Sequence, residues 1–371
     1  MAKKIPYGRQ WIDADDIRAV VKTLKSDWLT QGPAVEAFEN AVAKYCKAKY
    51  AVAFSSATSA LYCAYKAVGI GVGDEVITTP LTFAATSNMV YFCGGVPVFA
   101  DIEKESLNIN PAQIIKKITP KTKAIATVDF GGNPCDYGRI LKIAKDNKLA
   151  VIEDASHALG AKWDGKMVGS FADMTVLSFH PVKLIATGEG GMVLTNSAEF
   201  YEKLKTLRSH GMVKKPDMGG WYYEIPEPSF NFRITDIQSA LGLSQFKKLG
   251  KFIKRRREIV TRYQKAFAGM ENLIVPKESL GSFSAWHIFP VQIKGGDRRD
   301  FFDYLHKNGI GAQVHYIPLN LQPFFQKQYG YKAGDFPVAE EYYKNVVTLP
   351  LFPKMTAAQI NKVIKVVKNY T

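Results

Sequence analysis

The chain has 371 residues, 47% hydrophobic and 22% charged, and its 49 basic against 34 acidic side chains give a formal net charge of +15. That length supports a large domain plus a smaller one, and the composition excludes a disordered or fibrous chain. A basic surplus suits nucleic acid or small anionic ligands, but no helix-turn-helix, zinc-finger or RNA-recognition pattern accompanies it, so no nucleic-acid partner is expected.

The opening MAKKIPYGRQWIDADD has no apolar run behind its lysines, and no signal peptide is predicted. AVAFSS (51–56) reads as a buried strand, followed by a helical pattern from Thr58 to about Val68. EVITTP (75–80) is a second strand, leading into PLTFAATSNMVYF, whose apolar spacing suits a helix. VPVFADI (96–102) with PAQIIKKI, AIATVDF (124–130) with a helix from Tyr137 to Asn147, AVIEDA (150–155) and MTVLSF (174–179) repeat the scheme. Strands alternating with helices predict an α/β fold, a mainly parallel sheet flanked by helices. AKWDGKMVG (161–169), centred on Asp164-Gly165, predicts a hairpin that interrupts the series. Residues 213–228, rich in Gly, Pro, Trp and Tyr, read either as a mobile loop or as a partner contact. One long helical pattern runs from Thr235 to about Gly269 and links a large domain, residues 1–245, to a smaller C-terminal α+β domain, residues 246–371. SAWHIFPVQI (284–293), a helix over 298–309, GAQVHYIP (311–318) and a closing amphipathic helix in MTAAQINKVIKVVKNY build that second unit. The most apolar stretch, Met89 to Ala100, is glycine-broken and short of the roughly 20 residues a membrane span needs. Cys46, Cys63, Cys93 and Cys135 have no CxxC spacing and read as free thiols, so a cytoplasmic protein without a membrane partner is expected.

The residues that suggest chemistry sit at strand-to-helix junctions. Lys183 follows the strand that Ser178 ends and leads into Gly188-Glu189-Gly190-Gly191, where open α/β sheets hold ligands. A Schiff-base amine needs burial or nearby positive charge to keep a neutral fraction; by position alone a surface lysine is the commoner occupant. Asp154, at the strand end in VIEDASHALG, suits a carboxylate that keeps a pyridine nitrogen protonated, and equally a helix N-cap. His157 suits a contact to a ring oxygen, and equally a satisfied core histidine. SSATSAL (55–61) offers a phosphate cradle of backbone N–H and hydroxyl groups, with Ala57, Thr58 and Ser59 as candidates and Ser178 as a further donor. Phe83 in PLTFAAT suits a ring-stacking aromatic or a core phenylalanine.

Taken in order, SSATSAL, TTPLTFAAT, VIEDASHALG, SFHPVK with GEGGMVLTN, and SFNFRITDIQSALGLSQ resemble the DegT-type nucleotide-sugar aminotransferases of pyridoxal 5'-phosphate (PLP) fold type I, over essentially the whole chain. SFHPVK, RSHGM (208–212), LGLSQ and AQVHYIPL are similar to the subgroup that acts in pseudaminic-acid synthesis. The resemblance implies PLP as cofactor, Lys183 as the catalytic Schiff-base lysine, Asp154 at the ring nitrogen and His157 at the ring oxygen. It implies Phe83 stacked on the ring and Ala57, Thr58, Ser59 and Ser178 at the phosphate. Asn231, in NFR, resembles the asparagine that reaches the cofactor phosphate of a second subunit, which implies a homodimer with composite sites. No metal site is implied.

The implied reaction moves an amino group from L-glutamate, leaving 2-oxoglutarate, to C4 of a UDP-linked 4-keto-6-deoxy amino sugar. The product is of the UDP-4-amino-4,6-dideoxy-N-acetyl-altrosamine type, for a cell-surface or flagellar glycan. Another nucleotide-linked keto-sugar aminated at C3 or C4 is the alternative, with a PLP-fold dehydratase, a regulator or an amino-acid lyase or decarboxylase beyond it. Dehydratase relatives carry histidine at the lysine position, and Lys183 argues against that reading. Two departures from the family pattern lie near expected substrate contacts: PEPSF before NFR, and Asn320 in IPLNLQPFF, where many members have histidine.

Overall fold

Seven strands build the main sheet in the computed structural model, which describes residues 4–370. They are β1 (Tyr50–Phe54), β2 (Glu75–Thr78), β3 (Val96–Phe99), β4 (Thr122–Val128), β5 (Ala150–Asp154), β6 (Met174–Ser178) and β7 (Gly191–Thr195). Their spatial order is β1-β7-β6-β5-β4-β2-β3. β2 through β6 pair in parallel, while β7 lies antiparallel between β1 and β6.

Successive side chains of a strand face opposite sides, and these strands carry apolar residues on both. Val52, Phe54, Ala124, Ala126, Ile152, Val176 and Val193 pack under α1 (Ala57–Ala67) and Val90 of α2 (Ala85–Phe92). Ala51, Ala53, Leu177, Met192 and Leu194 pack on the other face against Val35, Phe38 and Val42 of helix Pro33–Cys46. Ile125 and Val151 continue that face beneath Ile140 and Ile143 of helix Tyr137–Asp146. A sheet covered on both faces is why its strands read as near-continuous apolar runs.

The predicted strands all form; most end one to three residues before their apolar runs do, and β4 keeps its seven residues but starts two earlier, at Thr122. The Asp164-Gly165 turn also forms, with φ of 47° and 74° joining Lys162–Trp163 to Lys166–Met167. The long helical pattern divides at Lys247-Lys248 into Asp236–Phe246 and α3 (Leu249–Phe267). α3 gives Leu249, Phe252 and Ile253 to the large core, and Ile259, Val260, Tyr263 and Phe267 to the C-terminal one. A division at 245/246 therefore falls just ahead of a helix that serves both cores. The C-terminal sheet orders β8 (Leu273–Ile274), β9 (Phe289–Ile293) and β10 (Val346–Leu349) antiparallel, backed by helices Arg298–Lys307 and Ala357–Tyr370. GAQVHYIP makes no regular strand; Gln313 alone bridges to Thr348.

The amino-terminal segment joins this second core. Ile5 is buried in it, donating from its amide to the Gly309 carbonyl at 2.9 Å, and the Leu351 amide donates to the Tyr7 carbonyl at 2.9 Å. The four cysteines are buried and free. Among the described residues no helix is long and apolar enough to cross a membrane.

Candidate active site

Because the parallel strands share one direction, the ends of β1, β2, β5 and β6 open on the same edge of the sheet, the usual ligand position in such folds. A cleft of about 560 Å³ lies there, walled on the far side by Tyr7 and by residues 313–316 from the C-terminal domain.

Lys183 stands in the turn after β6, its amide donating to the His180 carbonyl at 2.8 Å, and its side chain enters the cleft. Loss of hydration there pulls its ammonium down to a pKa of about 8, with the Asp154 carboxylate acting in the opposite sense. Asp154 lines the same cleft and is held rigidly. Its Oδ1 accepts from the Ser156 amide (3.1 Å) and hydroxyl (2.6 Å), and its Oδ2 from the Thr86 hydroxyl at 2.7 Å. Since Thr86 donates to Asp154, the Thr82 hydroxyl 2.8 Å behind it must donate to Thr86. The residues after Asp154 form turns rather than a helix, so the N-cap reading falls. A carboxylate has about four acceptor positions, which leaves Asp154 room for one more donor from the cleft.

α1 begins at the same cleft. Ser56 caps it by accepting from the Ser59 amide at 3.1 Å, and the Ser59 hydroxyl returns to the Ser56 backbone. That hydroxyl is consumed by the cap, and Ser59 does not line the cleft, whereas Ser56, Ala57, Thr58 and Ser178 do. Among the described residues the Ala57 and Thr58 amides have no protein acceptor, as expected of a helix's first turn. A Cβ on Gly191 would come within 2.4 Å of the Ala57 nitrogen and 2.5 Å of the Ser56 carbonyl. Only glycine lets β7 start against this helix end. Free first-turn amides, a hydroxyl on either side and a cationic amine form a phosphate-sized anion cradle.

His157 is 4% exposed and satisfies both earlier readings, being buried with both ring nitrogens bonded and also lining the cleft. Its Nδ1 accepts from the Gly131 amide at 3.2 Å and its Nε2 lies 3.2 Å from the Tyr316 hydroxyl. Burial, then the Lys183 charge, then His315, hold its pKa well below the usual histidine range. Phe83 is 61% exposed and forms part of the cleft wall, 6.1 Å between ring centroids from Tyr316, so it is not a core residue. Asn231 does not line this cleft. It is exposed, in a short backbone pairing with Ser209, and accepts from the Arg233 amide at 3.3 Å.

Several residues that line the cleft or brace its walls carry little local sequence signal. Thr82 and Thr86 lie one helical turn apart within TTPLTFAAT, and that spacing is the one clue to their pairing. Tyr7, His287, His315 and Tyr316 come from distant parts of the chain. Asn320, by contrast, is fully buried, donating to Glu340 at 2.9 Å and to the Lys332 carbonyl at 3.2 Å, so that departure alters the packing of the second domain and no cleft wall.

A model of the DegT/DnrJ/EryC1/StrS aminotransferase family matches residues 10–368. The chain is 43% identical over 375 residues to the spore coat polysaccharide biosynthesis protein SpsC of Bacillus subtilis, covering 98% of this chain and 96% of that one. It is 39% identical over 357 residues to a UDP-4-amino-4,6-dideoxy-N-acetyl-beta-L-altrosamine transaminase of Campylobacter jejuni, covering 95% and 93%. The structure superimposes with a TM-score of 0.93 on Helicobacter pylori PseC, an aminotransferase involved in the biosynthesis of pseudoaminic acid, at 35% identity and 99% coverage of each chain.

Proposed function

The chain belongs to the DegT/DnrJ/EryC1/StrS aminotransferase family and is a PLP-dependent sugar aminotransferase; from that premise we propose that it carries an amino group from L-glutamate to C4 of a UDP-linked 4-keto-6-deoxy amino sugar. The observation that carries the chemistry is one cleft holding a desolvated lysine amine, a braced carboxylate and the unpaired amides of a helix start. The likeness to the altrosamine transaminase and to PseC supports the choice of sugar. The 43% identity to a spore coat polysaccharide protein favours a second reading, another nucleotide-linked keto-sugar destined for a surface polymer.

Bound PLP supplies an amine-reactive aldehyde and a protonated ring that takes up electrons from the substrate carbon. The Ala57 and Thr58 amides, with the Thr58 and Ser178 hydroxyls, would hold its phosphate, and Ser59 contributes by fixing the start of that helix. Asp154, braced by Ser156 and Thr86, would keep the ring nitrogen protonated, and Phe83 would stack on the ring. Lys183 Nζ would anchor the cofactor and, as a free amine, would serve to move a proton, a task suited to an amine whose pKa lies near 8. Asn231, exposed and outside the lining of its own cleft, would complete the phosphate site of a second copy in a cytoplasmic homodimer.

The purified protein is to be given L-glutamate and a panel of UDP- and dTDP-linked keto-sugars, with products identified by NMR. The expected result is stoichiometric 2-oxoglutarate and a 4-amino sugar from a UDP-4-keto substrate. A 3-amino product, or no 2-oxoglutarate from glutamate, would overturn the substrate or donor assignment respectively.

A further inference from the structure

His157 and Tyr316 form a pair whose proton positions the structure determines. A backbone amide can only donate, so the Gly131 N–H fixes His157 Nδ1 as an acceptor. Burial and the facing Lys183 keep the imidazole neutral, so its single proton sits on Nε2. That proton points at the Tyr316 hydroxyl 3.2 Å away. Tyr316 therefore accepts from His157, and its own O–H is left to donate elsewhere.

Among the described residues nothing accepts it. The phenol is desolvated, which pushes its pKa far up and keeps the proton in place at neutral pH, with the Asp154 charge acting in the same direction. Half-buried in the cleft wall beside Phe83 and His157, that O–H is placed to donate to a bound ligand. The titratable groups facing the pair are Lys183, Asp154, His287, His315, Tyr7 and Tyr342. Burial keeps both neighbouring histidines uncharged and the Tyr7 and Tyr342 phenols protonated. Among these groups Lys183 is the cation.

We propose that the Tyr316 hydroxyl donates the hydrogen bond to the anionic ring oxygen of bound PLP, and that His157 is a positioning residue acting through it. This rests on PLP being joined to Lys183. It shifts the contact expected for His157 onto a residue more than 150 positions away, and the histidine's task becomes aiming a neighbour's proton.

The test is spectroscopic. A donor on the ring oxygen withdraws negative charge that would otherwise hold the proton on the nitrogen of the Lys183 linkage. Removing it should raise the pH at which the visible absorbance of bound PLP changes. Tyr316→Phe, loaded with PLP and titrated from pH 5 to 10, is expected to show that midpoint raised by about one unit. His157→Gln should move it in the same direction by less, and the double variant no further than Tyr316→Phe alone. An unmoved midpoint in Tyr316→Phe, or an effect confined to the KM of the sugar, overturns the proposal. So does a full His157→Gln shift on top of Tyr316→Phe. If phenylalanine at 316 prevents folding or loading, the His157→Gln titration decides, and an unmoved midpoint there overturns it. Absence of any visible band from the unaltered protein would overturn the lysine linkage and this proposal with it; a normal band with an unmoved midpoint sinks this proposal alone.

Discussion

A lysine has to shed a proton before it can attack an aldehyde, and the surroundings of Lys183 make that easier. With a pKa of about 8, against 10.5 for a free lysine, about 10% of the amine is neutral at pH 7 instead of well under 0.1%. Burial disfavours the charged form, so the neutral amine gains on raising the pH through 8. PLP capture by the cofactor-free protein should therefore speed up until about pH 8 and then level off. Stopped-flow absorbance at a series of pH values checks this, and a rate still climbing tenfold per unit at pH 10 would contradict it. At this scale the sequence was legible wherever spacing from a strand end fixed a side chain: Lys183 after Ser178, Asp154 closing β5, Thr58 opening α1. It was silent about Tyr7, His287 and Tyr316, because contacts between residues hundreds of positions apart leave no periodicity to read. It also left Ser59 looking like a ligand when its hydroxyl closes a capping box.

The contact between β7 and α1 joins the sheet to the anion cradle. Gly191 has Ser56 and Ala57 backbone where its Cβ would be, atoms that cannot swing away as a side chain would. Gly191→Ala should push the first turn of α1 outward, destabilise the fold by about 1–3 kcal/mol, and weaken PLP retention more than it weakens folding. Thermal denaturation with and without PLP measures both; equal losses in the two would mean the cradle had not moved. The strands and most helices of the large domain followed from apolar runs and turn residues. β7 did not, because GMVLT carries the same buried pattern whichever way it runs, and direction is set only by the neighbours it finds. The break at Lys247-Lys248 was hidden for a related reason. Both helices keep a 3.6-residue rhythm, no proline separates them, and Gly250 falls inside the first turn of α3 rather than at the join.

As a whole, the molecule exposes side chains that one copy does not use. The ribbon pairing Val213–Lys214 with Tyr223–Glu224 carries Trp221 at 83% exposure, and Asn231 follows it without reaching its own cleft. If the active unit is a pair of chains, Lys183→Ala and Asn231→Ala should each lose activity alone. Asn231→Ala should also hold PLP roughly tenfold or more weakly. Mixed after dissociation, the two variants should regain about a quarter of the sites, since random pairing gives half hybrids with one intact cleft each. Recovery of none, with hybrids verified by mass, would leave each chain complete by itself. A paired assembly is expected from the sequence only through family likeness, since an exposed asparagine has no pattern that says whose cleft it would serve.

The amino-terminal segment ties the two ends of the polypeptide together. Ile5 plugs the C-terminal core, and Tyr7, two residues on, stands in the wall of the cleft. Prising that segment loose would unplug the smaller domain and breach the cleft in the same stroke. Local opening around Ile5 and Tyr7 is thereby linked to loss of the cleft wall, and a stretch outside any helix or strand is here part of the working interior.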